Sequence, residues 1–283
     1  MKVKVWGARG SLPAPGPETM RYGGNTTCVE LTMSDHSTLV LDAGTGIRQL
    51  GLRLLAGSDP INVLLTHLHL DHIQGLMFFA PLFQEGREIT IWGPGGEIES
   101  LRDRVARYVS APLCPIEIRD LPAIIEFRDA PAGDWELGPA KIASAPVSHR
   151  GPTLGYRIED GDASLCFLPD HEPNGGVSGA ALAQDVSLLV HDSQYTDDEY
   201  ATKIGWGHSS LSDALAFAHR AQCERLMLFH HDPMHHDDFL DRLAGEAAMR
   251  WTEFGHRADQ VELAFELREI VLGAAHAPPS VAA

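Results

Sequence analysis

Within six positions the chain carries His67, His69, Asp71 and His72, four side chains of the kind that hold metal ions. Imidazole nitrogens combined with a carboxylate suit zinc, manganese or iron. His67 and His69 stand two apart, so an extended backbone points them the same way. Asp71 and His72 follow where the chain turns into a helix, and can face a second ion. A lone histidine is usually just a partly buried polar group. Four ligand-type residues at one strand end ask for a metal site. The segment ahead of them, Ile61–Thr66, is a short and mostly apolar run of the kind found in a buried strand. Strand ends deliver side chains to a sheet edge, where loops build sites.

The elements that must position this cluster are legible in outline. Lys2–Trp6 reads as a strand, followed by a long Gly- and Pro-rich loop through Gly24. Cys28–Met33 and Thr38–Asp42 read as a hairpin around Ser34–Ser37. Ile47–Ala56 has helical spacing, with Ile47, Leu50, Leu54 and Leu55 on one face. Glu88–Trp92 and Ile124–Arg128 read as strands, with a helix over Glu97–Val109 between them. The second half repeats the style. Strands are expected at Lys141–Val147, Thr153–Ile158, Ser164–Leu168, Val186–His191 and Arg225–Phe229. Helices are expected at Leu211–Gln222, capped by Ser209 or Ser210, and at Asp237–Met249. Val261–Leu272 closes with strand-like segments, and the Ala- and Pro-rich tail from Gly273 is expected to be disordered. No linker divides the chain, so one domain over 1–272 is expected. Strands and helices clustered in two similar halves suggest two sheets face to face with helices outside.

Composition limits the partners. A formal net charge of −17 disfavours a broad basic surface for nucleic acid. Bound metal ions would still give an acidic protein a locally positive site. Cys28, Cys114, Cys166 and Cys223 form no C-x-x-C pair, which argues against a structural zinc site and for reduced, buried thiols. No apolar run is long enough to span a bilayer and no apolar signal segment follows the first strand. The expectation is a cytoplasmic protein without a membrane partner.

The stretch T-H-L-H-L-D-H-I-Q-G resembles the H-x-H-x-D-H signature of the metallo-β-lactamase superfamily. His149, Asp170 and His230, each placed at or just beyond the end of an expected strand, resemble that family's later ligands. The resemblance implies an α/β fold, a four-layered αββα sandwich with the site at one edge. It implies two divalent ions, zinc above all, with manganese or iron as alternatives. His67, His69 and His149 would hold one ion, Asp71, His72 and His230 the other, and Asp170 would bridge them. His230 is preferred over His231, which is expected behind the ligands or facing solvent.

A finer resemblance is to the ribonuclease Z-like, phosphodiesterase branch. G-A-R-G-S-L-P with Arg21 and Asn25, the Asp42-Ala43-Gly44-Thr45-Gly46 turn, His149-Arg150 before Leu154-Gly155-Tyr156, and Gly207-His208-Ser209-Ser210 keep that branch's order. Asp192 stands where the branch has glutamate. Only twenty residues separate His149 from Asp170, which leaves no room for the arm by which ribonuclease Z grips transfer RNA.

The expected function is hydrolysis of a small phosphodiester or nucleotide, with Asp71, Asp192 and His208 in catalytic roles. His208 would protonate the leaving group and Asp192 would orient it. The alternatives are a lactone or thioester hydrolase on the same site, and a non-catalytic metal- or ligand-binding member of the fold. Large nucleic acid is not expected as a partner; a homodimer is admitted. His171 is read as orienting Asp170 or as a turn residue. Arg9 and Arg21 are read as phosphate contacts or exposed salt bridges. His36, His219, His235, His236, His256 and His276 are read as surface residues.

Overall fold

The computed structural model describes residues 1–173 and 179–273. The expected tail therefore lies, apart from Gly273, outside the described residues. Among the described residues fourteen strands run in chain order as β1 Lys2–Gly7, β2 Cys28–Thr32, β3 Thr38–Leu41, β4 Ile61–Leu64, β5 Glu88–Gly93, β6 Ile124–Asp129, β7 Gly133–Leu137, β8 Ala140–Pro146, β9 Leu154–Asp160, β10 Ala163–Leu168, β11 Leu188–Asp192, β12 Leu226–Phe229, β13 Val261–Leu263 and β14 Glu269–Val271. They form two seven-stranded sheets, in the orders β14-β1-β2-β3-β4-β5-β6 and β13-β12-β11-β10-β9-β8-β7.

Period-two alternation builds the layers. Leu39 and Leu41 of β3 join the core between the sheets, while Val40 faces the other way. Met227 and Phe229 of β12 enter the same central core, while Leu226 and Leu228 face outward. The outward faces are covered by helices. Leu211–Ala221 and Asp237–Glu253 pack on the second sheet. Ile47–Leu54 and Leu101–Ala106 pack on the first. The result is the αββα sandwich. Each core side chain of this size contributes about 1.5–3 kcal/mol, so Phe229→Ala is expected to cost about 3–5 kcal/mol.

Four elements differ from the sequence reading. The helix expected over Glu97–Val109 spans only Leu101–Ala106, because the Ser100 side chain caps it by accepting from the Asp103 amide. The edge strand β7 was not expected. Three of the five residues in its sequence GDWEL are charged or glycine and three are exposed, so it lacks the apolar signal of a buried strand. The closing segment Val261–Leu272 divides, with β13 in one sheet and β14 in the other. The helix at Asp237 runs on to Glu253. All four cysteines are free and buried, as expected. Among the described residues no helix is long and apolar enough to cross a membrane.

β3, β4, β5 and β6 are parallel, as are β10, β11, β12 and β13. Their carboxyl ends are where loops of an open α/β sheet gather binding groups. Two links fix the sheets to each other at that edge. The Tyr156 hydroxyl donates to the Leu65 carbonyl at 2.8 Å. The N-terminal loop crosses the gap, with the Gly10 amide donating to the His231 carbonyl and the His231 amide to Ala8.

Candidate metal centre

Each ligand-type residue of the sequence reading follows a strand that reaches this edge. His67 to His72 follow β4, His149 follows β8, Asp170 follows β10 and His230 follows β12. The structure brings the donor atoms of His67, His69, His149 and Asp170 within 4.8 Å of one another. Asp71, His72 and His230 form a second such group, and Asp170, His208 and His230 a third. Asp170 lies between: its Oδ1 is 3.0 Å from His72 Nε2 and 3.3 Å from His230 Nε2. Its Oδ2 is 3.5 Å from His149 Nε2 and 3.7 Å from His67 Nε2.

Four of the rings are turned by what holds their far nitrogen. His67 Nδ1 meets Thr66 Oγ1 at 3.0 Å, and that hydroxyl donates onward to Asp42. His72 Nδ1 donates to Asp42 Oδ2 at 2.8 Å, His149 Nδ1 to the Gly207 carbonyl at 2.6 Å, and His230 Nδ1 to Gln194 Oε1 at 3.0 Å. Such bonds fix the tautomer and leave the Nε2 lone pair facing inward. Asp71 Oδ2 accepts from the Ser11 amide at 2.7 Å. Two glycines leave the rings room. A Cβ at Gly10 would come within 2.2 Å of His230 Nδ1, and one at Gly207, where φ is +93°, within 2.5 Å of His149 Nδ1. Asp42 and His230 themselves adopt left-handed backbone, φ 58° and 62°, a conformation uncommon for non-glycine residues, though less so for Asp and His.

Electrostatics divide the cluster. Burial holds His67, His69 and His149 below the ordinary histidine range, so their imidazoles are neutral donors. Burial would lower His72 too, but Asp170, Asp71 and Asp42 raise it well above that range. Burial would raise the Asp170 carboxyl, yet His230, His72 and His67 hold it well below the carboxylate range. The carboxylates thus seek positive charge at this spot. His67 Nε2, His72 Nε2 and Asp170 Oδ1 are buried and none completes an aligned hydrogen bond, although the last two form an ion pair at 3.0 Å. Orphaned buried polar atoms are costly, and three that converge fit a cation.

Asp192 ends β11, fully buried. Its carboxylate accepts from the amides of His171, Gln194 and Ser209 and from His208 Nδ1 at 2.7 Å. The His208 ring stacks on that of His230, centroids 4.9 Å apart. Burial would lower His208, but Asp192 and Asp170 raise it to about 9.

Other expectations need correction. Of the two places expected for His231, behind the ligands or in solvent, burial excludes the second. His231 is buried and donates from Nε2 to the Ala264 carbonyl at 2.8 Å, and burial with Arg9 nearby drives it down to about 3. The His171 ring meets His191, Nδ1 to Nε2 at 2.9 Å. His235 is no surface residue: it is buried against Glu199 at 3.0 Å. Arg9 is buried and donates to the carbonyls of Gly23, Asp232 and His235, so it ties the N-terminal loop down. Arg21 is the exposed salt bridge, to Asp238 and Asp241. Sequence reading gave no role to Asp42, Thr66 or Gln194. Only the Asp42 turn left a signal, as a motif without a task.

Comparison with known proteins agrees with this architecture. A family model described as a beta-lactamase superfamily domain matches residues 37–231. A ribonuclease Z of Mycobacterium sp. (strain KMS) is 27% identical over 241 residues, covering 78% of this chain and 81% of its own. Among solved structures, the metallo-beta-lactamase fold protein YhfI from Bacillus subtilis aligns with a TM-score of 0.69 at 20% identity, over 95% of this chain and 98% of its own. Zn(2+)-bound PqqB from Methylobacterium extorquens aligns with a TM-score of 0.66 at 20% identity, over 96% and 100%. The chain belongs to the beta-lactamase superfamily, with the metallo-β-lactamase fold and sequence similarity to ribonuclease Z.

Proposed function

We propose that this protein is a metal-dependent hydrolase of small phosphodiesters, working with two divalent ions, zinc foremost. The observation that carries the reading is the convergence of buried, hydrogen-bond-orphaned donors of His67, His72 and Asp170 among seven ligand-type side chains. His67, His69 and His149 would hold one ion, Asp71, His72 and His230 the other, and Asp170 both. Bound there, the ions would supply Lewis-acid activation of the attacking water and of the phosphoryl group. Thr66, Asp42, Gly207 and Gln194 keep the rings aimed, so loading would displace the His72 proton without turning a ring.

His208 is the proton donor in this reading. Asp192 occupies its Nδ1, which leaves Nε2 for the leaving oxygen, and the same carboxylate favours the protonated ring. Asp192 reaches His208 despite being a methylene shorter than glutamate, because three backbone amides lock its carboxylate.

Two observations favour a small substrate. The chain from His149 to Asp170 is the hairpin β9–β10 with its short approaches, and it carries no arm for an RNA. The formal charge of −17 opposes encounter with a polyanion. The test is metal analysis of protein purified without added metal, then turnover of bis-p-nitrophenyl phosphate against lactones and thioesters. Precursor transfer RNA and short or cyclic dinucleotides are compared at the same low salt. Turnover confined to lactones or thioesters, or precursor processing that outpaces every small diester, would refute the reading.

A further inference from the structure

The cluster opens sideways into a cleft of ≈ 430 Å³ that begins at His67 and His69. Arg104, Arg107, Arg150 and Tyr108 line it, and no carboxylate does. That local balance opposes the whole chain, in which acidic residues number 39 and Lys plus Arg only 22. The three arginines come from two separate segments. Arg104 lies in the last turn of the helix Leu101–Ala106 and is tied to the Pro94 carbonyl, with a buried Nε that makes no hydrogen bond. Arg107 pairs with Glu99. Arg150 donates from Nε to the Gly205 carbonyl, two residues ahead of the glycine that aims His149. Arg104 and Arg150 have no carboxylate partner among the described residues. Guanidinium groups so placed fit phosphate oxygens bidentately.

We infer that this cleft is a specificity subsite for a second phosphate of the substrate, so that the preferred ligand is a phosphodiester bearing a further phosphomonoester. The inference rests on the phosphodiester reading for the position of the scissile group. An added monoester gains a charge-assisted contact from Arg150, to which Arg107 can add by turning from Glu99, without lengthening the substrate into a polyanion. Tyr108 offers an aromatic face on the same wall, suited to a sugar or base between the two phosphates.

The test uses the metal-loaded protein. Calorimetry compares adenosine 3′,5′-bisphosphate with adenosine 5′-monophosphate, and kinetics compare a 5′-phosphorylated dinucleotide with its unphosphorylated form. The expected preference for the extra phosphate is about tenfold or more in both assays, the scale of one charge-assisted contact. In an R107Q/R150Q double variant that ratio should collapse to about twofold, and the R107K/R150K pair should restore part of it. Arg104 is spared because it anchors the fold. Equal binding of the two nucleotides by the unaltered protein, or a ratio indifferent to the double variant, would overturn the subsite. Failure to turn over any diester, with an arginine-dependent bisphosphate preference intact, would sink the hydrolytic reading and support the cleft.

Discussion

On one side of Asp170 stand His67, His69 and His149; on the other stand Asp71, His72 and His230. The first trio is the open one. His69 is exposed, its Nδ1 sits 3.2 Å from His149 Nε2, and the cleft begins at its ring. The second trio is buried throughout and backed by a buried carboxylate, Asp42. The two sides differ in charge as well, neutral imidazoles facing a carboxylate-ringed His72 whose proton stands where a cation would be favoured. In the proposed centre the buried side would hold its ion tightly and early. The open side would exchange its ion and meet the substrate.

The heaviest blow to both sides at once is Asp170→Ala. It is expected to remove at least one ion and to cut turnover by about 10³-fold or more, in keeping with loss of a group shared by both ions. Mass-spectrometric metal counts beside bis-p-nitrophenyl phosphate turnover read this out, and full metal content would undo the bridging role. Next comes Asp42→Asn, which touches no ion. Losing the carboxylate behind His72 should weaken metal affinity about 10–100-fold, seen in competition with a chelator. An unchanged chelation curve would mean that the backing is idle.

His69→Ala separates the two sides. It should release one ion and spare the other, giving a single-step chelator titration where the unaltered protein gives two. Loss of both ions together would erase the distinction between an open and a buried half. His208→Ala should slow an alkyl phosphodiester by about 10²-fold or more, and a p-nitrophenyl ester far less, because nitrophenolate leaves without a proton. Equal losses, with metal retained, would remove His208 from proton transfer.

The smallest expected effect is that of His231→Ala. Metal content should persist, while stability falls by about 1–3 kcal/mol through the orphaned Ala264 carbonyl, measured by thermal unfolding. Metal loss here, with His230→Ala keeping both ions, would reverse the pair.

The site was readable where its parts are local. His67 to His72 crowd one strand end, so residue type and spacing alone raise the metal question. The expectation that His230 and His231 part is also local, but the structure parts them by a left-handed turn at His230, φ 62°, just past the end of β12. What stayed hidden depends on segments distant in sequence. Thr66 and Asp42 are 24 positions apart and Gln194 and His230 are 36 apart; nothing in either stretch announces its partner. His235 looked like surface because only the fold brings Glu199 over it. The fold's interior strands show a clear apolar signal, whereas the edge strand β7, mostly exposed, shows none.

The first strand lies inside its sheet, flanked by β2 and by β14, and the Met1 amino group reaches the Leu272 carbonyl 271 positions away. During synthesis, then, every ligand-type residue through His230 leaves the ribosome before β1 has its second neighbour. The loop after β1 carries Gly10 and Ser11, which touch His230 and Asp71. Completion of the centre is thus tied to β14, which is made after every ligand-type residue, and metal capture by a nascent chain should wait until β14 can pair with β1.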